Sequence, residues 1–175
     1  MTAKQIDRRT ALRTGAGVGL ALAVGAAATT TKPVAAQTTP GTRGTVSLAM
    51  AMAMLTAGEA KAREIGVPMS ITIVDESGIQ KAFHRMDGNV LASVQLSQAK
   101  AYTANAFRTS TQALSEQLAT NPVRLAAITN IPNVTVLPGG LPIRAEGMVI
   151  GGIGVGGGSS EQDVEVATAA LAALG

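Results

Sequence analysis

Apolar residues along this chain change their spacing several times, and each change marks a predicted element. Over 47–65 the spacing is helical: Leu48, Ala51, Met52, Leu55, Gly58, Ala62 and Ile65 share one broad face. Ser47 is placed to cap that helix and Gly66-Val67-Pro68 to stop it. Met50 and Met54 fall opposite the apolar face, where the pattern expects solvent, a second subunit or a ligand. Apolar, β-branched segments at 69–74 and 79–86 then flank the turn Asp75-Glu76-Ser77-Gly78, which predicts a β-hairpin. Helices follow over 90–107 and 111–119, and Asn121-Pro122 opens another turn to about Ile128.

Strands are predicted at 134–137, 141–145 and 148–155, the last two joined by a tight turn at Glu146-Gly147. Ser159 or Ser160 caps a closing helix over 161–174, with Glu161 and Asp163 placed favourably in its first turn. The order is that of an α/β (α+β) fold, a five-stranded antiparallel sheet with helices on its faces. Residues 47–175 read as one domain and 37–46 as a flexible lead-in.

The first 36 residues have another character. Arg8-Arg9 and Arg13 precede eighteen uncharged residues, 14–31, rich in Gly, Ala and Thr; Lys32 and Val34-Ala35-Ala36 follow. Side chains this small make a poor membrane span, and the order matches a twin-arginine export leader cleaved after Ala36. The expected location is exported, periplasmic or secreted, with no stable membrane span in the mature chain. The leader carries five basic residues against Asp7, a net of +4. The remainder has nine Lys and Arg against ten Asp and Glu, a net of −1. The basic balance therefore belongs to the leader, and nothing in the rest suggests nucleic-acid binding. The chain has no Cys, which excludes disulfides, thiolate metal sites and cysteine nucleophiles.

Residues 139–163 hold nine glycines, and Gly152, Gly154 and Gly157 spell G-x-G-x-x-G. A dinucleotide site needs a second strand and an acidic residue about 20 positions further on, and the sequence given provides neither. The glycines instead suit close backbone approach and a sharp strand-to-helix turn, whose free N–H groups suit a carboxylate. His84 is the sole histidine, so one subunit cannot build a bis-His metal site; it reads as structural or as a lone ligand. No nucleophile-elbow motif supports Ser–His–Asp hydrolysis, and no catalytic residue is assigned. Over 90–107, Leu96, Lys100, Thr103 and Phe107 share a stripe. It suits either an anionic, apolar ligand or a lysine lying along its own stem.

Four blocks, AMAMLTAGEAKAREIGVPMSITIVDESG (51–78), RMDG (85–88), QAKAYTANAF (98–107) and GGLPIRAEGMVIGGIGVGGGSSEQD (139–163), resemble the GlcG/HbpS family of haem-binding-protein-like domains. The resemblance implies a profilin-like three-layer α/β/α fold, a homo-oligomer, haem as cofactor and, for some secreted members, a sensor-protein partner. It places Lys100 and Thr103 at a haem site, Thr103 as an axial oxygen ligand, with Arg85, Asp87, Gly139, Gly140, Pro142, Glu161 and Asp163 matching the family pattern. Two Phe, one Tyr and no Trp are a sparse set for flanking a porphyrin. A threonine is also a weak iron ligand, so His84, Tyr102, Met50 and Met54 stand as rivals. The expected function is an exported, oligomeric haem-binding protein without turnover. The alternatives are a binder or enzyme for a small hydroxy acid such as glycolate, using Lys100 and Arg85, and an accessory to a sensor protein.

Overall fold

The computed structural model describes residues 44–175; the leader and most of the lead-in lie outside the described residues. Helix α1 (Leu48–Glu64) is followed by strands β1 (Ser70–Asp75) and β2 (Gln80–Arg85), then helices α2 (Ala92–Phe107), α3 (Thr111–Leu118) and α4 (Pro122–Thr129). Strands β3 (Gly140–Ala145) and β4 (Met148–Gly156) and helix α5 (Ser160–Ala172) complete the order. The sheet is wholly antiparallel, in the order β2-β1-β4-β3. β2 and β3 are therefore its edges, and Pro142 sits within edge strand β3, where a proline is tolerated.

Helices α1 and α5 cover one face, and α2 covers the other. On the first face Ile71, Ile73, Ile153 and Val155 join Met54, Leu55, Val166 and Ala170 in the core. Gly58 lets α1 close down there, since a methyl group at that position would press to 2.9 Å from Ile71 and 3.3 Å from Ala170.

Two expectations are corrected. The described residues form four strands, not five, because 134–137 never enters the sheet. Two of its N–H groups find hydroxyls instead, Thr135 N–H donating to Thr103 Oγ1 (3.0 Å) and Leu137 N–H to Thr135 Oγ1 (3.2 Å), while Val134 N–H donates to the Ile131 carbonyl (3.2 Å). The buried stripe of α1 is also rotated from the expected one. Ala51, Met54, Leu55, Gly58 and Ala62 are buried, while Leu48 and Met52 are exposed. Met54 faces inward because α1 packs against α5 as well as the sheet, so its core-facing arc turns toward that neighbour. Among the described residues, no helix is long and apolar enough to cross a membrane.

Candidate functional site

The glycines of β4 set the geometry of the site. Gly152, Gly154 and Gly156 alternate along the strand, so all three face α2. A methyl group on Gly154 would run into the Ser97 carbonyl and the Ala101 amide, and one on Gly152 into the Ala101 carbonyl. Gly156 would bring one to 3.2 Å from the Ser93 carbonyl. The helix thus lies backbone to backbone on β4.

Over β1 the helix meets side chains. Thr72 and Ser97 share a buried hydroxyl–hydroxyl bond of 2.9 Å, and Ser97 Oγ also lies 2.9 Å from the Val94 carbonyl, to which it donates. Beyond Thr72, toward edge strand β2, helix and sheet part to leave an open cleft of about 790 Å³. Thr72, Val74, Gly78 and Gln80 line the sheet side; Gln95, Leu96, Gln98, Ala99 and Tyr102 line the helix side; Asn133, Val134 and Thr135 complete the wall. Gln98 Nε2 donates to Gln80 Oε1 (3.1 Å), joining helix to edge strand. The Tyr102 ring rests on Gly78, where a methyl group would come within 3.0 and 3.1 Å of it and where φ is +79°. Among the described residues, no charged side chain lines this cleft. Its chemistry is one phenol, several amides and an apolar floor.

Of the residues singled out from the sequence, the cleft brings in Tyr102 and Leu96. Lys100 and Thr103 lie on the neighbouring stripe of α2 and are buried beneath the helix. Lys100 Nζ donates to Asp163 Oδ2 (2.5 Å) and to the Val155 carbonyl (2.8 Å). Asp163 Oδ1 accepts from Gly158 N–H (3.0 Å). Burial pushes the Asp163 carboxyl above its ordinary range, against the opposing pull of the Lys100 ammonium and the Gly158 N–H. The pair ties α2 to the first turn of α5. It is a strut, with neither charge free for a ligand. Thr103 is wholly buried, its hydroxyl occupied by Thr135 N–H.

His84 pairs with Ile71 across the β1–β2 ladder and shares its face, on the α1 side. There its Nδ1 lies 2.9 Å from Glu59 Oε2, so the sheet stands between His84 and the cleft. Arg85 donates to the Asn89 carbonyl (3.0 Å) and Asp87 is exposed in the turn after β2. Met54 is core, and Met50 packs half-buried against it. Gly140 and Pro142 belong to β3, across β4 from the cleft, with Gly140 N–H held by Thr111 Oγ1 (3.0 Å). Gly139, at φ +114°, packs against Asp163 and Lys100.

The helix end expected to receive a carboxylate is already served. Ser159 and Gln162 form a reciprocal capping box, Asp163 takes the Gly158 N–H, and Glu161 accepts from the Ser159 hydroxyl (2.8 Å). Cleft residues missed in the sequence include Gln95 and Ala99. With Tyr102 they form an i, i+4, i+7 stripe beside that of Leu96, Lys100 and Thr103.

This is a three-layer α+β domain in which α2 is seated on glycine over one half of a sheet and held off the other by side chains, leaving a neutral cleft. The chain belongs to the HbpS-like family: the family model described as "Haem degrading protein HbpS-like" matches residues 46–172. It is 38% identical, over 128 residues, to an uncharacterized 15.0 kDa protein of the dhaT-dhaS intergenic region of Citrobacter freundii. That match covers 73% of this chain and 90% of the relative. Among solved structures it is similar to a double mutant of HbpS from Streptomyces reticuli (TM-score 0.71, 32% identity, covering 82% of this chain and 97% of that one). It is also similar to the PduOC–haem complex (TM-score 0.69, 32% identity, 73% and 94% covered).

Proposed function

We propose that this protein binds haem in the cleft between α2 and the β1–β2 edge, with Tyr102 as the residue that holds the iron. The observation that carries the reading is the cleft itself, 790 Å³ with one phenol in an otherwise uncharged wall. That volume lies within the range of small-molecule and cofactor pockets, roughly 300–1,000 Å³. The similarity to PduOC, solved as a haem complex, supports it.

The residues present fit the group. Val74, Leu96, Ala99 and Val134 offer apolar contact to a flat macrocycle, and a tyrosine oxygen is an established ligand for haem iron. Gln80, Gln95, Gln98 and Asn133 are amides able to donate to propionates. Gly78 fixes the Tyr102 ring by giving it a floor without a side chain. Bound haem would supply a redox-active iron; the chain's part is to hold it, orient it and keep water from its faces. Export through the Arg8-Arg9 leader, assembly into a homo-oligomer and contact with a sensor protein belong to the same reading, supported by the leader's pattern and the family resemblance. Mass measurement of protein recovered from outside the cytoplasm tests the first two, and co-purification of a sensor protein the third.

Titration of hemin into the protein should give a Soret band that saturates at a fixed stoichiometry. Tyr102→Phe should shift that band and weaken binding about tenfold or more, as loss of an iron ligand does. Thr103→Val should leave the spectrum unchanged. Ala99→Arg, which places a long cation in the cleft, should abolish saturable binding. A non-saturating response, or wild-type binding by Ala99→Arg, overturns the assignment.

A further inference from the structure

A second, smaller pocket of about 350 Å³ opens at the far end of the sheet. It lies where the β3–β4 turn, the C-terminus of α2 and the β1–β2 turn meet. Its polar wall is Arg108, Arg144, Glu76 and Asn105. Two departures from regular backbone bring the arginines together. Arg108 ends α2 in the left-handed conformation (φ +56°), and β3 shifts register between Ile143 and Arg144. Arg144 Nη2 then donates to the Arg108 carbonyl at 2.7 Å.

Among the described residues, neither guanidinium has a carboxylate within ion-pair distance. Among the described residues, Arg144 spends one N–H on the Arg108 carbonyl, which leaves both forks with donors to spare. Glu76 is the counterweight. The Thr45 hydroxyl, its own backbone N–H and the Ser77 hydroxyl hold its carboxyl below the usual carboxylate range, so it stays ionised. Asn105 donates to the Glu76 carbonyl (3.3 Å) and fixes that turn against α2. The polar wall therefore carries two positive charges and one negative.

We propose that this pocket is a binding site for a small carboxylate bearing a hydroxyl or ammonium on the adjacent carbon. The arginines supply forked donors for the carboxylate, the geometry in which guanidinium binds best. Glu76 accepts from the neighbouring hydroxyl or ammonium and repels a second anionic group. A porphyrin has no place in so small a space, and the site is independent of the haem reading.

Propionate, lactate and alanine share one carbon skeleton and make the test direct. Binding to the full chain is followed by calorimetry, with inorganic phosphate as a fourth probe. Lactate or alanine should bind at least about tenfold more tightly than propionate, and whichever leads shows whether hydroxyl or ammonium is preferred. Glu76→Gln should erase the margin over propionate, and Arg144→Gln should weaken every carboxylate about tenfold. Arg144 is exposed, so the variant should melt with the wild type and hemin titration should be unchanged. Equal binding of all three acids, tighter binding of phosphate than of any acid, or no saturation by any probe at millimolar concentration overturns the proposal.

Discussion

The two halves of the sheet face beneath α2 are made of opposite materials. Over β4 the helix rests on Gly152, Gly154 and Gly156, with no side chain between the two backbones. Over β1 it rests on Thr72, and past Thr72 only the Gln98–Gln80 bond and the Tyr102 ring on Gly78 span an open cleft. A straight helix seated low on one side and propped on the other must leave a gap. The difference teaches that a pocket can be made by removing side chains from the strand next to it, not from its own walls. The G-x-G-x-x-G of this chain serves that end: two of its glycines seat the helix, and the third begins the turn into α5.

The contrast can be broken or sharpened in four ways. The covered half is pinned by the Lys100–Asp163 strut, so Lys100→Met should have the largest effect, about 3–5 kcal/mol by denaturant unfolding. The cost should be smaller near about pH 5 than near about pH 8, because an unpaired buried Asp163 takes up a proton. The sign follows from burial, which already sets the folded-state value above that of the unfolded chain. Stability from that raised value is complete below the unfolded carboxylate's titration and is lost as pH rises through the folded value. A cost that is flat with pH would show that Asp163 is solvated after all.

Gly154→Ala should come next, at about 3 kcal/mol, because its methyl group meets backbone on α2 and neither side can yield without moving the helix. A neutral Gly154→Ala would mean the helix is not seated as described. On the propped half, Thr72→Val should cost only about 1 kcal/mol, since the Ser97 hydroxyl keeps its bond to the Val94 carbonyl. The smallest change in stability, within about 0.5 kcal/mol, is expected for Ala99→Leu at the cleft wall. Hemin affinity should nevertheless fall, and unchanged affinity would separate ligand binding from this half of the face.

Much of the fold was legible in the sequence because it is locally encoded. The Asp75–Gly78 turn, the stop at Gly66 and the Ser159 cap each announce themselves within a few residues, and each is found where expected. Residues 134–137 misled because β propensity is local, whereas the Thr135 N–H at their centre is taken by the Thr103 hydroxyl, some thirty residues away. Met54 misled because a face computed for one helix alone ignores a second helix, α5, that shares its burial.

The site was the least legible part. Lys100 and Thr103 drew attention as polar residues in an apolar stripe, yet both lie on the buried arc of α2, with Lys100 against Gly140 and Gly154, and of that stripe Leu96 alone reaches the cleft. The cleft belongs to the stripe beginning one residue earlier, Gln95, Ala99 and Tyr102. Choosing between them requires knowing which arc of α2 meets β4, and that information sits some fifty residues downstream in the alternation of Gly152, Gly154 and Gly156. Period-two glycine in a strand, read as a landing strip for a helix, is the signal that could have located the cleft.

Pro142 has a consequence for how copies of this molecule can meet. Edge strand β3 lacks a donor at that residue, while edge strand β2 is free of proline along its length. Growth of the sheet by strand addition is therefore one-sided. A sheet with one joinable margin can close with a single partner, but it has no second margin from which to continue. The same residue that narrows the choices for assembly thus also guards against open-ended fibre formation.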